Sequence, residues 1–129
     1  MKLSTRGRYG LMAMYRLREN YGKGPVSIKS IAEMENLSEL YLEQLFISLK
    51  KHNLVKSVRG AQGGYLLADD PSKIKIGDII NSLEGEMELS CCTKDVDCIK
   101  NPGCATKDIL EKIQTKVEEV FDSMTLADM

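Results

Sequence analysis

All four cysteines of this chain lie in one polar stretch, SCCTKDVDCIKNPGCATKD at residues 90–108. Cys92, Cys98 and Cys104 form a C-x5-C-x5-C run, and Asn101-Pro102-Gly103 provides a turn within it. Thiolates that converge from a loop are the usual ligands of iron–sulfur clusters. Structural zinc sites usually have cysteine pairs two to four residues apart and four ligands, which this run lacks. The run favours a cluster, with zinc or another metal and reversible thiol or disulfide chemistry as alternatives.

The rest of the chain predicts a cytoplasmic protein. It has 129 residues, about one domain, and an obligate oligomer remains an alternative to a monomer. The sequence has no apolar stretch of about 18 residues, and its N-terminus lacks the apolar block of a signal peptide. We therefore expect no membrane partner. In a reducing compartment, clustered cysteines more often bind metal or do redox chemistry than form structural disulfides.

The charges are unevenly distributed along the chain. Residues 1–67 carry six Lys and five Arg against five Glu, a net +6, whereas residues 68–129 carry seven Lys against fourteen Asp and Glu, a net −7. The first half is therefore suited to contact a polyanion such as nucleic acid, and the second half is not.

The first half has the pattern of a helix-turn-helix. A helix is predicted over residues 9–21, with Leu11, Met14, Leu17 and Tyr21 on one face. Ser27 and Ser38 stand at N-cap positions of a short helix and of a second helix over about residues 39–51. Its buried stripe is Leu42, Leu45, Phe46 and Leu49, and its predicted outward residues are Glu39, Tyr41, Glu43, Gln44, Ser48 and Lys51.

A β-hairpin is predicted directly after these helices. Strands over residues 54–59 and 65–68 flank a glycine-rich turn, and a hairpin in this place makes a winged helix. Arg59 lies at the base of the wing tip, where an arginine can enter a narrow minor groove. The GAQGG turn lacks the spacing and the Lys-Ser/Thr pair of a P-loop, which argues against nucleotide binding.

The second half ends in a long amphipathic helix. After a short packing helix in IKIGDIINSLEG, the sequence TKDILEKIQTKVEEVFDSM predicts a helix with Leu110, Ile113, Val117, Val120 and Met124 on one seam. Such a seam indicates a homodimer, which would present two recognition helices to a palindromic operator in double-stranded DNA. The predicted fold is mainly α with a small β-hairpin wing. Residues 1–70 form the predicted winged helix-turn-helix DNA-binding region, and residues 71–129 contain the cysteine loop and the dimerisation helix. We expect the two regions to form one compact dimeric domain.

The chain closely resembles the Rrf-two family of bacterial winged-helix regulators, which includes IscR, NsrR and CymR, and is most similar to the IscR type. The resemblance runs the whole length and rests on LSTRGRYGL, LSELYLEQLF, LVKSVRGAQGGYLL and the three spaced cysteines. It implies an iron–sulfur cluster-sensing transcription regulator that represses cluster biogenesis genes. It also implies a [2Fe–2S] cluster in preference to [4Fe–4S], held by Cys92, Cys98 and Cys104.

The resemblance also assigns residues that contact DNA. Tyr41, Glu43 and Gln44 are expected to read bases, with Glu43 tied to sequence discrimination. Arg59 and Gly60 are expected in the minor groove, and the predicted phosphate contacts are Lys2, Ser4, Thr5 and Arg6.

The fourth cluster ligand departs from the family pattern. Lys107 stands where the IscR type has a histidine, and Arg8 stands where the nitric-oxide sensors have an aspartate. The one histidine, His52, is expected to cap a helix or to contact phosphate. The remaining candidates are a group from the other subunit, an exogenous ligand, and the side chains of Cys91, Asp95, Asp97 and Asp108.

Four alternatives to cluster sensing remain from the sequence. They are a thiol-based regulator of the same fold, a nitric-oxide or redox sensor of that fold, a small iron–sulfur electron-transfer protein, and a dimeric regulatory or adaptor protein that has lost DNA binding. The chain has one histidine and no recognisable nucleophile–base pair, so we expect no enzymatic activity.

Overall fold

The computed structural model describes residues 2–86, 88, 89 and 104–129. Cys91, Cys92 and Cys98, and most of the predicted cysteine loop, lie outside the described residues. In the described part, five α-helices and one two-stranded antiparallel hairpin confirm the mainly helical winged-helix fold. The elements are α1 (Thr5–Glu19), α2 (Ile28–Glu35), α3 (Glu39–Lys51), β1 (Val55–Val58), β2 (Gly64–Leu67), α4 (Ile76–Glu84) and α5 (Ala105–Ser123).

Helix α1 begins four residues earlier than the apolar pattern predicted, at Thr5 instead of residue 9. Its first two turns contain buried glycines because α1 crosses α4 closely. A Cβ atom on Gly10 would lie 1.9 Å from Cδ1 of Leu83. The prediction was wrong for Tyr21, which follows the end of the helix and is 48% exposed.

The helix-turn-helix is confirmed with both of its predicted serine caps. Ser27 accepts a hydrogen bond from the Ser30 amide at 3.1 Å, and Ser38 accepts one from the Tyr41 amide at 3.0 Å. Between the helices, Asn36 adopts a left-handed conformation (φ 54°) that ends α2. The α3 stripe is confirmed, since all four of its side chains are fully buried: Leu42, Leu45, Phe46 and Leu49.

The hairpin is attached to the helices at its base. Val55 pairs with Leu67 and Val58 pairs with Gly64. Beyond this ladder, the amide and carbonyl of Tyr65 bond to the carbonyl and amide of Val26 at 2.9 and 3.0 Å. Gly64 permits this close approach, because a Cβ atom there would lie 2.2 Å from the Val26 carbonyl oxygen and its φ is +154°.

One hydrophobic core includes residues from both sides of the predicted boundary at residue 70. Ile79 and Leu83 of α4 and Leu126 near the C-terminus pack with the buried residues of α1 and α3. The C-terminal segment is fixed by hydrogen bonds from the Ile76 amide to the Met124 carbonyl, at 2.9 Å, and from the Leu126 amide to the Ile74 carbonyl, at 2.8 Å.

Helix α5 is packed differently from the other helices. None of its side chains is fully buried against the described residues, and its main neighbour is α4. The two helices approach at Gly77, where a Cβ atom would lie 2.9 Å from the Cβ of Phe121. In the part of the chain that the structure describes, no helix has the length and apolar character of a membrane span.

Candidate nucleic-acid interface

Helix α3 has the ends that its sequence predicts. Ser38 caps its N-terminus, and Lys50 and Lys51 lie in its last turn, where positive charge is favourable. His52 is the C-cap residue, and its ring Nδ1 lies 2.9 Å from the Ser48 carbonyl oxygen. The cap predicted for His52 is therefore confirmed.

The exposed face of α3 differs from the predicted one. Glu39, Glu43, Gln44 and Lys51 are exposed as expected, but Tyr41 and Ser48 are half-buried. Tyr41 packs edge-to-face on Tyr9 with ring centroids 6.0 Å apart, which turns its ring toward α1. This contact arises from tertiary packing, which helical periodicity alone does not reveal.

Two exposed apolar residues of α3 were missing from the predicted outward set. Leu40 is 68% exposed and Ile47 is 59% exposed. At 100° per residue both lie opposite the buried stripe, on the side of Gln44 and Lys51. Helical geometry alone could have placed both on the outward face.

The wing lies beside the end of α3. The Lys50 amine donates to the Ser57 hydroxyl at 2.8 Å and so joins the last turn of α3 to β1. At the tip, the Gly63 amide donates to the Gly60 carbonyl at 3.0 Å, and Gly60 has a φ of +113°. Arg59 and Gly60 are both exposed, so this turn presents an arginine and an accessible backbone to solvent.

The N-terminal segment is bonded to the end of α4. The amide of Ser4 donates to Oε1 of Glu84 at 2.6 Å, and the Ser4 hydroxyl donates to the same oxygen. Lys2 and Thr5, two of the predicted phosphate contacts, are exposed.

The half-buried Arg6 links three helices. Its Nε donates to the Leu83 carbonyl at 3.2 Å, and its Nη2 lies 3.4 Å from the Ser48 hydroxyl oxygen. It therefore joins α1 to the end of α4 and to α3. These bonds give Arg6 a packing role and leave its predicted phosphate contact a prediction.

Helix α2 is fixed against α1 by an ion pair. Nε of Arg16 lies 2.5 Å from Oε1 of Glu35, and Nη1 of Arg16 lies 3.0 Å from Glu19. The pKa of Arg16 is raised, mainly by the bond to Glu35, and the pKa of Glu19 is lowered by hydrogen bonds from Tyr15 and Arg16. Both charges are thereby maintained where the two helices meet.

Cys104 is the one predicted cluster ligand among the described residues. It is half-buried and stands at the N-cap of α5, where the helix dipole favours a negatively charged group. Three residues on, the Lys107 side chain forms an ion pair with Glu111 at 3.7 Å, and a lysine side chain offers hydrogen-bond donors instead of the ring nitrogen that a histidine would present to a metal. Among the described residues, no three His, Cys, Asp or Glu side chains are placed to hold a metal ion. Thiolates nevertheless fit an iron–sulfur cluster by their chemistry.

A capped helix-turn-helix with an attached hairpin defines the class, a winged-helix protein. Residues 3–129 match the model of the Rrf2 family, described as an iron-dependent transcriptional regulator. The chain therefore belongs to the Rrf2 family of DNA-binding transcriptional regulators. Since the relatives are regulators, the expectation that the chain is not an enzyme is confirmed.

Relatives of both the CymR and the IscR type are similar over the whole chain. CymR of Bacillus subtilis is 46% identical across 100% of this chain and 89% of its own length. Its solved structure, described as that of the global cysteine regulator, covers 99% of this chain and 95% of its own with a TM-score of 0.84. The structure of T. potens IscR is 53% identical, covers 100% of this chain and 85% of its own, and has a TM-score of 0.79. The IscR of Sodalis glossinidius is 36% identical across 100% of this chain and 78% of its own length.

Proposed function

We propose that this chain is a homodimeric regulator that binds a palindromic operator in double-stranded DNA and responds to an iron–sulfur cluster. The DNA-binding part depends chiefly on one observation, the exposed carboxylate and amide of Glu43 and Gln44 on the free face of α3. Carboxylates accept from the cytosine amino group, and amides can pair with adenine in the major groove. In this proposal Glu43 and Gln44 are the main base contacts, and Tyr41, whose ring packs on Tyr9, is a further predicted one.

The wing and the N-terminal segment supply the remaining DNA contacts in this proposal. Arg59 and Gly60 enter the minor groove, and the exposed Lys2 and Thr5 contact phosphates with Ser4. Arg6 contributes mainly by supporting α3 through Ser48. The Glu43 carboxylate is repelled by phosphates, so it adds little to overall affinity for DNA. Its proposed role is to select the base sequence.

The second subunit binds on α5. The apolar side chains of α5 form a shallow cavity of about 490 Å³, with lysines at its edge. The cavity is lined by Ile113, Val117, Val120 and Phe121. A two-fold dimer through this face buries the same surface in both subunits and relates the two α3 helices by symmetry.

The cluster is held by Cys92, Cys98 and Cys104, and when bound it supplies a group that is sensitive to iron and oxidants. [2Fe–2S] is the proposed type. Leu83 and Glu84, at the end of α4, bond to Arg6 and Ser4. These bonds connect the segment before the cysteines to α1 and, through Arg6, to α3. We infer that cluster occupancy changes operator choice by this connection, with cluster biogenesis genes as repressed targets.

A thiol-based sensor is the second candidate. It is favoured by the similarity to CymR, a global cysteine regulator, and by Lys107, which stands where the IscR type has its histidine ligand. In this alternative the cysteines are oxidised reversibly and hold no metal.

The DNA-binding proposal is tested by selecting operators from a random-sequence duplex pool with the full-length protein. Glu43→Ala is expected to relax base preference in the selected site, and Glu33→Ala, which truncates an exposed glutamate on α2, serves as the matched control. If wild-type protein selects no sequence, or if both variants select the wild-type site, the assigned reading role of α3 is wrong.

The sensor proposal is tested on protein purified without oxygen. Absorption and Mössbauer spectra report the metal and the cluster type, and operator affinities are then compared for this protein and for a Cys92→Ala, Cys98→Ala, Cys104→Ala triple variant. We expect different affinities for at least one operator. If the purified protein contains no iron and its DNA binding changes on reversible thiol oxidation, the thiol sensor is supported. If operator affinity is the same with and without the cluster and with the thiols reduced or oxidised, both the cluster sensor and the thiol sensor are excluded.

A further inference from the structure

Leu40 and Ile47 are the two most exposed large apolar side chains among the described residues, at 68% and 59%. They are seven residues apart on α3, so they lie on the same side of the helix. Glu43 and Gln44 lie between them on that side, and both are exposed. The free face of α3 therefore alternates apolar and polar groups along its length.

This arrangement matches the chemistry of the major groove. Each thymine presents an apolar C5 methyl group there, and the other bases present hydrogen-bond donors and acceptors. Seven residues of helix rise about 10 Å, which spans about three base-pair steps of 3.4 Å. Two apolar side chains at this spacing can each contact a thymine methyl group. The polar side chains between them can then contact the bases that lie between the two thymines.

The surroundings of the two side chains favour DNA over a protein partner. Lys50 and Lys51 lie in the last turn of the same helix, and the exposed Arg59 lies in the wing that Lys50 contacts. A polyanion neutralises such cations, whereas an apolar protein surface would leave them at the edge of the contact. The contrast with α5 supports this choice, because the apolar face of α5 is continuous.

We propose that Leu40 and Ile47 read thymine methyl groups and make the operator preference of this chain thymine-dependent at two positions about three base pairs apart. This inference rests on the proposed DNA-binding function and adds two residues that determine specificity. Leu40, in the first turn of α3, reads the first thymine, because the N-terminal part of a recognition helix contacts base edges. Ile47 reads the second.

The test uses deoxyuridine, which lacks only the C5 methyl group of thymine. An operator is selected with wild-type protein, each thymine is replaced singly, and dissociation constants are measured by fluorescence anisotropy. Where the protein contacts the methyl group, its removal is expected to raise the dissociation constant about fourfold. This factor corresponds to the transfer free energy of one buried methylene-sized group. The full-length Leu40→Ala protein is expected to lose this sensitivity at one thymine, and Ile47→Ala at another.

Met34→Ala is the matched control, because Met34 is 49% exposed but lies on α2 beside the end of α1. It is expected to keep the full deoxyuridine sensitivity. Urea unfolding checks that all three variants are folded. If wild-type protein tolerates every deoxyuridine, or if the sensitivity is unchanged in both α3 variants, the methyl-reading role is wrong while DNA binding stands. If wild-type protein selects no sequence at all, the proposed function fails as well.

Discussion

Val120 provides a quantitative test of the proposed dimer. It lies in the apolar cavity on α5 and is 48% exposed in the single chain. Burying a whole valine side chain contributes about 1.5–3 kcal/mol, so covering the exposed half contributes about 1 kcal/mol. A two-fold interface buries Val120 twice, once from each subunit. Val120→Glu therefore removes about 2 kcal/mol of association free energy, or about 30-fold in the dimer dissociation constant, before any cost of burying the carboxylates.

Sedimentation equilibrium over a wide range of protein concentrations measures this change directly. Thr115→Glu is the matched control, because Thr115 is exposed on the polar face of the same helix with Asp108, Glu111 and Glu119. The Val120 variant is expected to dissociate at higher concentration than wild type, and the Thr115 variant is expected to behave as wild type. Equal dissociation constants for all three proteins would refute the assignment of this face to the dimer.

Three further predictions concern the wing and the turn that follows it. Arg59→Ala is expected to weaken specific DNA binding by about 1–3 kcal/mol in gel-shift titrations, and an unchanged footprint and affinity would exclude the wing. Gly64→Ala is expected to destabilise the protein by about 2 kcal/mol in urea unfolding, because the new methyl group meets the Val26 carbonyl at 2.2 Å; an unchanged midpoint would contradict this. The pKa of Asp70 is lowered by hydrogen bonds from Ser72, so Asp70 stabilises the fold above its unfolded pKa of about 3.9, and this contribution is lost as the pH falls through the lower folded value. Ser72→Ala should raise the pKa of Asp70 toward its usual value in NMR titrations, and an unshifted pKa would show that the hydroxyl has no such effect.

The sequence predicted the elements whose signals are local. Ser27 and Ser38 mark two helix starts because an N-cap depends on backbone groups only two or three residues away. The stripe from Leu42 to Leu49 and the hairpin were predictable for the same reason, since each follows a short-range periodicity. The order of these elements then predicted the winged helix.

Features that depend on contacts between distant elements were not predictable in this way. The start of α1 was placed late because Gly7 and Gly10 contribute no apolar pattern, although they are buried against the end of α4. Likewise, nothing near Tyr41 in the sequence indicates that its ring meets Tyr9. The packing role of Arg6 depends on groups 42 and 77 residues away. In each case the deciding neighbour is remote in sequence.

The exposed apolar residues of α3 and α5 show why residue type alone does not assign a surface. Leu40 and Ile47 are separated by polar side chains and lie near lysines, so their helix can contact a groove that mixes methyl groups with donors and acceptors. On α5, Ile113 and Val120 belong to a continuous apolar strip with lysines at its edge, which suits another apolar surface. Both faces carry apolar side chains with lysines nearby, but polar side chains separate the apolar ones on α3 and not on α5. In the proposed function, this difference assigns the free face of α3 to DNA and the face of α5 to a second copy of the chain.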